Sequence, residues 1–538
     1  MNTLAKTSLA LITCLALTSG VAQAGTVVWT GATNDWSLGT NWSLGSAPGT
    51  GDLARFTTSG NTTPTLAAGS YTIQRINYNG DTNFNITGAG SSNTTLTLDP
   101  NTASGIAFID STAGTATNQT FSGLTVIVND SNTAGQVKIQ PGDGKAVTIA
   151  SDAKLQIGSS AAQAVILEAN GSGTGSGALT INGVLTGGVA GSSIKADTSG
   201  VLNLNLAAGS NLANLSLTTG VNGVINFVGG GNYGGSVNPA AGTVNLATSG
   251  ITVGATTGFV FSAGGIIGAT YGNGTSTIAG TVTFTTGGGA ARVNTFDVAT
   301  GATLEISGAT NGGNTGSNSV SKTGNGTLIL SNPTGNAIAS SAFNVTAGTL
   351  LISNTSGSAT GTSVPVNISS GATLAGTGRI TETTTISGIL APGSNGIGTL
   401  TVNKDVIWNG GASASAATDW KFELGALNVA DLLDLTNAST GFTKGTGTAF
   451  RFDFQNSTDL GTFKLVDWTS TTPMGGGVNG TSFNISDFSY TNLGSSHIGT
   501  FQFNGSQLEF VAVIPEPATW GLLAFSLTTI LVLRRRRS

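Results

Sequence analysis

Short runs in which apolar and polar residues alternate recur along the middle of the chain, and a glycine opens most of them. The pattern is Gly-x-apolar-x-apolar, and most successive runs begin roughly 20 residues apart, a spacing typical of stacked repeats. Alternation with a period of two predicts β-strands that bury one face. The runs are GALTI, GVLNL, GVINF, GTVNL, GTVTF, GTLIL, GTLLI and GTLTV, which begin at Gly177, Gly200, Gly223, Gly242, Gly280, Gly326, Gly348 and Gly398.

One such strand cannot bury its apolar face alone, because nothing covers it. Stacking one coil of about 20 residues on the next covers that face, which predicts an all-β fold, a parallel β-helix. Glycine at the start of a run permits the tight corner that each coil needs. The residues that we expect in the core are the two apolar members of each run: Leu179, Ile181, Leu202, Leu204, Ile225, Phe227, Val244, Leu246, Val282, Phe284, Leu328, Leu330, Leu350, Ile352, Leu400 and Val402.

Asparagine takes the fourth place in three consecutive runs, at Asn203, Asn226 and Asn245, and threonine takes it at Thr180 and Thr283. If the coils stack in register, these side chains form a polar ladder along the rod. The alternative explanation is that asparagine is simply common in this chain.

The repeats give way to longer strand-like segments after residue 405. We predict a repeat stalk over 61–405 and a β-rich capping domain over 406–512, because an uncovered stack would expose a pairing edge. In FRFDF the three phenylalanines, Phe450, Phe452 and Phe454, should share the buried face. Asn504-Gly505-Ser506 is typical of a hairpin turn.

The composition excludes several classes of protein. The chain has 82 glycines among 538 residues, about twice the usual share. Only 8% of the residues are charged. That balance argues against an ordinary helical enzyme. A formal net charge of −5 without a basic cluster in the body argues against a nucleic-acid partner. Disorder is the alternative for a chain so rich in glycine. The hydrophobic residues, 38% of the chain and placed in alternation, favour a folded body.

The N-terminus has the pattern of a secretory signal peptide over 1–24. The apolar run Leu9–Leu17 is followed by a small-residue site in which Ala22 and Ala24 flank a glutamine. Signal peptidase is therefore an expected partner, and the mature chain would begin at Gly25.

The C-terminus combines a Pro-Glu-Pro triplet, one apolar run and a basic cluster. The run Ala518–Leu533 spans about 24 Å as a helix, slightly less than the ~30 Å hydrocarbon core of a bilayer. The basic cluster would hold one end of this transmembrane helix in the cytoplasm. A permanent anchor is the alternative to a processed tail. The residues outside the helix are Pro515, Glu516, Pro517, Arg534, Arg535, Arg536 and Arg537.

Little in the sequence points to catalysis. Cys14 is the only cysteine and lies in the predicted signal peptide, so the mature chain would have no disulfide and no cysteine zinc ligand. His497 is the only histidine and lies in a GSSHIG turn. We predict that the chain has no catalytic, cofactor-binding or metal-binding residues and that it is not an enzyme. The acids of the coil region are scattered: Asp143, Asp152, Glu168, Asp197, Asp297 and Glu305.

Two stretches resemble known families. Gly324–Val402, with GTLIL, GTLL, GATLAGTG and the turn GILAPG, resembles the autotransporter-associated β-strand repeat. This resemblance implies a right-handed β-helical stalk. The segment 25–60 is similar to the entry segment of such secreted proteins. Its marks are Trp29, Trp36, Trp42, Pro48, Asp52 and Phe56.

The segment 513–538 resembles the PEP-CTERM sorting signal, which implies an exosortase-type processing enzyme as partner. The family also implies export through a transient inner-membrane anchor to the cell surface or beyond, and a structural or adhesive role with exopolysaccharide. Two alternatives stay open for the same stalk: a polysaccharide lyase or hydrolase, and a carbohydrate-binding protein.

Overall fold

The computed structural model describes residues 25–515 and residue 535. Its internal gaps are 58–59, 100–105, 114, 130–135, 160–164, 171–176, 198, 232–233, 255, 263, 286–290, 314–317, 395, 414–418, 437–440 and 469–482. This part of the chain is an all-β parallel solenoid of about 13 turns. Helical structure in residues 25–515, as far as they are described, is confined to short 3₁₀ turns at Gly39–Asn41, Ala426–Asn428 and Ile485–Asp487.

Each coil contributes one strand to each of up to three faces. Ala178–Ile181 lies on the second face, Val184–Gly187 on the third and Ser192–Asp197 on the first. The next strand, Val201–Leu204, then pairs in parallel with Ala178–Ile181. The chain thus returns to the same face after one full turn.

The first face carries a 13-stranded parallel sheet that is continued by a six-stranded sheet. Backbone bonds at Ser358 and Ala359 bridge the two sheets. The strands of the 13-stranded sheet are Thr26–Val28, Leu53–Phe56, Arg75–Tyr78, Ile106–Ser111, Gln136–Pro141, Ile166–Asn170, Ser192–Asp197, Leu215–Thr219, Ser236–Asn238, Gly258–Phe261, Val282–Phe284, Thr310–Gly312 and Ala337–Ile338. The six-stranded sheet contains Arg379–Ile380, Thr399–Val402, Leu432–Leu435, Gly461–Trp468, Gln507–Val513 and Ile498–Phe503.

The second face is a single 16-stranded sheet, and the third face carries three smaller sheets in succession. The second face contains Thr65–Leu66, Asn85–Gly88, Asn118–Ser122, Ala146–Ile149, Ala178–Ile181, Val201–Leu204, Val224–Phe227, Thr243–Leu246, Ile266–Ala269, Arg292–Val298, Asn318–Thr323, Phe343–Val345, Val366–Ile368, Thr384–Ile386, Val406–Trp408 and Phe442–Lys444. The third face contains Gly69–Ile73, Thr94–Leu98, Thr125–Val128, Lys154–Ile157, Val184–Gly187; then Thr252–Val253, Gly274–Ile278, Ala302–Ile306, Thr327–Leu330, Thr349–Ile352, Thr373–Gly376, Ile389–Pro392; and last Asp419–Lys421, Phe450–Ser457 and Phe488–Leu493.

The core consists of columns of aliphatic side chains that stack from coil to coil. Leu202 registers with Ile225 on the next coil, and Ile225 registers with Val244. Every residue that the alternating runs placed in the core is 2% exposed or less, so that prediction is confirmed. Burial of these columns supplies most of the driving force, at about 25 cal/mol per Å² of apolar surface.

The sequence pattern suggested that the glycine-led runs stack on one another, but the structure distributes them over all three faces. The run at Gly200 lies on the second face, the run at Gly280 on the first and the run at Gly326 on the third. All three faces need an alternating strand, so the pattern alone does not identify the face. Thr283 consequently lies on the first face, and its predicted place in the asparagine ladder is wrong.

The other members of the ladder meet as predicted. The Asn203 side-chain amide donates to Thr180 Oγ1 at 3.2 Å. The Asn226 amide donates to Asn203 Oδ1 at 2.9 Å, and the Asn245 amide donates to Asn226 Oδ1 at 3.0 Å. Each bond joins one coil to the next on the outer surface of the second face.

Several corner glycines are required by the close approach of stacked backbone. A Cβ at Gly200 would lie 1.8 Å from the carbonyl oxygen of Ala169, and a Cβ at Gly223 would lie 1.8 Å from that of Ala196. Neither glycine has the positive φ that favours glycine for conformational reasons. The corners therefore exclude side chains by contact with the preceding coil.

Aromatic clusters lie in the first coil and in the C-terminal part of the rod. At the N-terminal end, Trp42 packs edge-on against Trp29 and Trp36, with ring centroids 4.9 and 4.8 Å apart. At the other end, Trp408 and Trp420 stack with centroids 3.6 Å apart. All five rings are 3% exposed or less, so they belong to the core.

The C-terminal strands behave as the sequence predicted in two respects. Phe450, Phe452 and Phe454 are fully buried on one side of their strand. Ile498–Phe503 and Gln507–Val513 form an antiparallel hairpin around Asn504-Gly505-Ser506, which ends the stack. Parallel pairing crosses residue 405 through Val406–Trp408, and the domain limits at 60, 405 and 512 stay predictions.

Candidate binding surface

Charged side chains gather on the outer surface of the first face, from the strand Leu53–Phe56 to the strand Ser192–Asp197. Each alternates with a core residue on its strand, as Arg75 does with Ile76, so its side chain lies on the outer side of the sheet. The charged strip, as we name this surface, consists of seven charged residues and one asparagine: Arg55, Arg75, Asp110, Lys138, Glu168, Lys195, Asp197 and Asn77.

One row of the charged strip crosses four neighbouring strands. Arg55 registers with Asn77, Asn77 with Asp110, and Asp110 with Gln140. The Asn77 side-chain amide donates to Asp110 Oδ2 at 3.2 Å. With strands about 4.8 Å apart, the row is roughly 14 Å long.

A second row carries ion pairs. Lys138 registers with Glu168, and Glu168 registers with Lys195. Lys138 Nζ lies 3.5 Å from Glu168 Oε2, and Lys195 Nζ lies 2.5 Å from Asp197 Oδ2. Such partly exposed pairs contribute roughly 0.2–1 kcal/mol each, so they fix the side chains more than they stabilise the rod. The positive charge of this row is largely neutralised within it.

The other end of the charged strip holds uncompensated positive charge. A cavity of about 220 Å³ opens there, and we name it the arginine groove; it is lined by Leu53, Arg55, Arg75, Ile76, Asn77 and Asp110. The Nε atoms of Arg55 and Arg75 are buried and have no hydrogen-bond partner among the described residues. No described carboxylate forms an ion pair with either guanidinium.

A carboxylate pair, Asp434 and Asp467, lies on the outer surface of the six-stranded sheet. The two residues are in register on adjacent parallel strands. Lys464 Nζ lies 2.9 Å from Asp467 Oδ2. Burial raises the pKa of Asp434 and the charge of Asp467 raises it further, while Lys464 and Arg379 lower it. A carboxyl group whose pKa is raised, placed beside a second carboxyl group, can act as a general acid.

Asp431 is separate from this pair, although only two residues stand between it and Asp434. Asp431 is 1% exposed and accepts backbone N–H bonds from Gly398 at 2.8 Å and from Glu423 at 2.7 Å. Burial raises its pKa to about 7, against the opposing effect of these two bonds. Asp431 therefore joins two backbone segments through hydrogen bonds and is not accessible to a ligand.

The remaining candidates do not assemble a site. His497 lies in an exposed turn with Nδ1 3.4 Å from Ser496 Oγ. Asp297 accepts from Thr323 Oγ1 at 2.7 Å, and Glu305 accepts from Ser331 Oγ at 2.6 Å. Across the described ranges, no three His, Cys, Asp or Glu residues are placed to hold a metal ion.

Sequence reasoning missed the charged strip. It treated Glu168 and Asp197 as scattered acids, whereas the two lie on adjacent strands. Nothing in the local sequence singles out Arg55 or Arg75. The signal that was available is a charged or amide residue at the outward position of successive first-face strands, which becomes visible only once the coil length is known.

Few of the predicted processing residues fall in the described part. Gly25 opens it, and its backbone N–H donates to Asp52 Oδ1 at 3.0 Å. Pro515 is exposed, two residues after the last strand ends at Val513, and Arg535 is also described and exposed. The other predicted residues, which lie outside the described part, are Ala22, Ala24, Glu516, Pro517, Arg534, Arg536 and Arg537, together with both predicted helices. Among the helices that are described, none has the length and apolar character to cross a bilayer.

The fold and this surface define the chain as a parallel β-solenoid protein with a charged strip on one face. No protein-family model matches the chain, and no curated protein matches it.

Proposed function

We propose that this chain is an exported structural or adhesive protein of the cell surface or extracellular matrix, and that its charged strip binds polysaccharide. The proposal rests above all on the arrangement of hydrogen-bonding side chains in rows along a rigid rod. Arg55, Asn77 and Asp110 in one row, and Asn203 and Asn226 in another, repeat at the strand spacing.

Such rows suit a long polymer better than a small molecule. The cavity at the arginine groove measures about 220 Å³, and the one beside Ser216 measures about 280 Å³. Both are smaller than typical small-molecule pockets, which begin at roughly 300 Å³. A polysaccharide instead presents hydroxyl groups at regular intervals and can contact several coils together. Amide and charged side chains are the groups that hydrogen-bond them.

The proposal includes export and sorting because of the sequence patterns at the two ends of the chain. The signal-like segment 1–24 would be removed by signal peptidase. The segment 513–538 would hold the chain in the inner membrane until an exosortase-type enzyme processes it. A right-handed coil over 61–405, a cap over 406–512 and the absence of enzymatic activity complete the proposal.

A test of sorting compares cells that make the full chain with cells that make a chain lacking Arg534–Ser538. We expect the full chain to reach the surface in a shortened form and the truncated chain to stay in the membrane or the medium at another size. Identical size and location for both would oppose the sorting proposal. Binding to a panel of immobilised glycans tests the polysaccharide proposal, and a full chain that binds none would contradict it.

A second candidate function, hydrolysis of a polysaccharide, is favoured by one observation: the in-register carboxylate pair with its raised Asp434 pKa. Retaining glycoside hydrolases use two carboxyl groups about 5–5.5 Å apart, a spacing that adjacent strands can provide. The test is release of reducing ends from acidic and neutral glycans by wild type, Asp434→Asn and Asp467→Asn. Release by wild type that both variants abolish supports this candidate, and no release by wild type from any glycan in the panel counts against it.

A further inference from the structure

We propose that the arginine groove is a subsite for an acidic sugar, in which Arg55 and Arg75 together bind one carboxylate or sulfate group of an anionic polysaccharide. This inference rests on the proposed polysaccharide-binding function for the identity of the polymer. That the ligand group is an anion is inferred from the two arginines of the groove alone.

The two arginines can converge on one group. Arg75 registers with Leu53, and Arg55 lies two residues further along the same strand as Leu53. The two side chains are thus diagonal neighbours on one surface, roughly 7–8 Å apart at the backbone. Guanidinium forks at that separation reach the same carboxylate or sulfate, and each presents paired donors to it.

Within the groove, the only carboxylate already has its partners. Asp110 Oδ1 accepts from the backbone N–H and the hydroxyl of Thr112, at 2.9 and 2.7 Å. Asp110 Oδ2 accepts from Asn77 at 3.2 Å. Asp110 therefore closes one side of the groove and leaves both guanidiniums with free donors.

The N–H groups of the two arginines indicate what kind of ligand the groove can bind. The Nε–H groups of Arg55 and Arg75 lie beneath the surface of the groove and meet no protein acceptor there. The groove itself is open, and no described carboxylate forms an ion pair with either guanidinium, so their outer N–H groups can donate to an external anion.

The setting favours a sugar polymer over a nucleic acid. Asp110, Glu168 and Asp197 interrupt the positive charges along the strip, and a regular phosphate backbone would be repelled at each of them. A polysaccharide with an acidic group on only some of its sugars can place that group in the groove. Its neutral sugars then lie over Asn77 and the neutralised lysine row.

The test measures binding of the full chain to dextran sulfate, polygalacturonate and neutral dextran. The variants are Arg55→Gln, Arg75→Gln and the double variant. Lys154→Gln, which removes one positive charge from the third face of the same part of the rod, is the matched control. We expect at least a tenfold loss of affinity for an anionic polymer in the double variant, a weaker salt dependence, and no change in Lys154→Gln. Circular dichroism confirms that each variant is folded.

Each outcome separates the groove from the broader function. Equal affinity in wild type and the double variant, or an equal loss in Lys154→Gln, overturns the groove as the anion site. Binding to neutral dextran alone overturns the inference and leaves the proposed function standing. Arginine-dependent binding of inorganic sulfate without binding to any polymer supports the anion site and opposes the proposed function. Arginine-dependent binding of duplex DNA in preference to both anionic glycans overturns the assignment to sugar. Arg55→Lys with Arg75→Lys should restore part of the affinity, since lysine keeps the charge and loses the paired donors.

Discussion

The side-chain amide of Asn226 donates to Asn203 Oδ1 at 2.9 Å, across two consecutive coils. Asn226 also accepts from Asn245 on the following coil. One residue therefore joins three coils outside the core. Replacing Asn226 with alanine leaves Asn203 and Asn245 each without one partner.

We expect Asn226→Ala to lower the free energy of unfolding by about 1–2 kcal/mol, because two partly buried hydrogen bonds are lost. Denaturant unfolding followed by circular dichroism measures it. Asn214→Ala is the control, since Asn214 lies exposed outside the ladder. Equal effects of the two substitutions would show that the ladder adds nothing to stability.

Gly200→Ala should destabilise the rod by about 1–3 kcal/mol or more, because the added methyl group overpacks the corner and the coils would have to separate. Its Cβ would meet the Ala169 carbonyl oxygen at 1.8 Å. Gly272→Ala should have little effect, since a Cβ there has open space and the backbone φ is not positive. The same unfolding measurement compares them. A Gly200→Ala protein as stable as Gly272→Ala would rule out the close corner.

Lys322 is fully buried, and its Nζ donates to the carbonyl oxygens of Thr323, Gly324 and Ala347. Burial lowers its pKa from 10.5 to about 8, with Asp297 acting in the opposite direction. Between pH 8 and 10.5 the unfolded chain thus binds more protons than the folded chain. Stability should rise with pH in this window, by up to about 1.4 kcal/mol per pH unit from this group.

The measurement for Lys322 is the difference in unfolding free energy between wild type and Lys322→Met at pH 7.5, 9 and 10. The difference should shift in favour of wild type as the pH rises. A constant difference across the three pH values would mean that Lys322 stays charged in the fold.

The contact between Gly25 and Asp52 gives a prediction about maturation. If signal peptidase cleaves after Ala24, the backbone nitrogen that now donates to Asp52 Oδ1 becomes a charged α-ammonium. The mature protein should then begin GTVVW by N-terminal sequencing. Asp52→Asn should lower the stability of the mature protein by roughly 0.2–1 kcal/mol. Asp143→Asn, at an exposed turn, is the control. A mature chain that begins at a residue other than Gly25 would exclude the pairing of its α-ammonium with Asp52.

The sequence predicted those parts of the fold that depend on alternation along one strand. Leu202 and Ile225 are in the core, and Asn203 and Asn226 bond outside it, because positions within a run determine side and register. The face to which a run belongs was not predictable, since all three faces need the same alternation and similar corners. Thr283 shows this, as it fits the run pattern and lies on another face.

The charged strip could not be predicted from the sequence, for a related reason. Lys138, Glu168 and Lys195 meet only because coils of unequal length bring their outward positions together. The arginine groove depends further on which charged groups already have partners. The local sequence does not show that Arg55 and Arg75 form no ion pair with a described carboxylate.

Apart from Trp520, the tryptophans lie in the first coil and in the C-terminal part of the rod, so tryptophan fluorescence reports on these two parts. No tryptophan lies between Trp42 and Trp408. Indole emission during unfolding therefore follows fraying of the termini, whereas far-ultraviolet dichroism follows the long interior. A gap between the two signals would indicate that the coils melt inward from the ends, as a one-dimensional stack of neighbour-dependent units is expected to do.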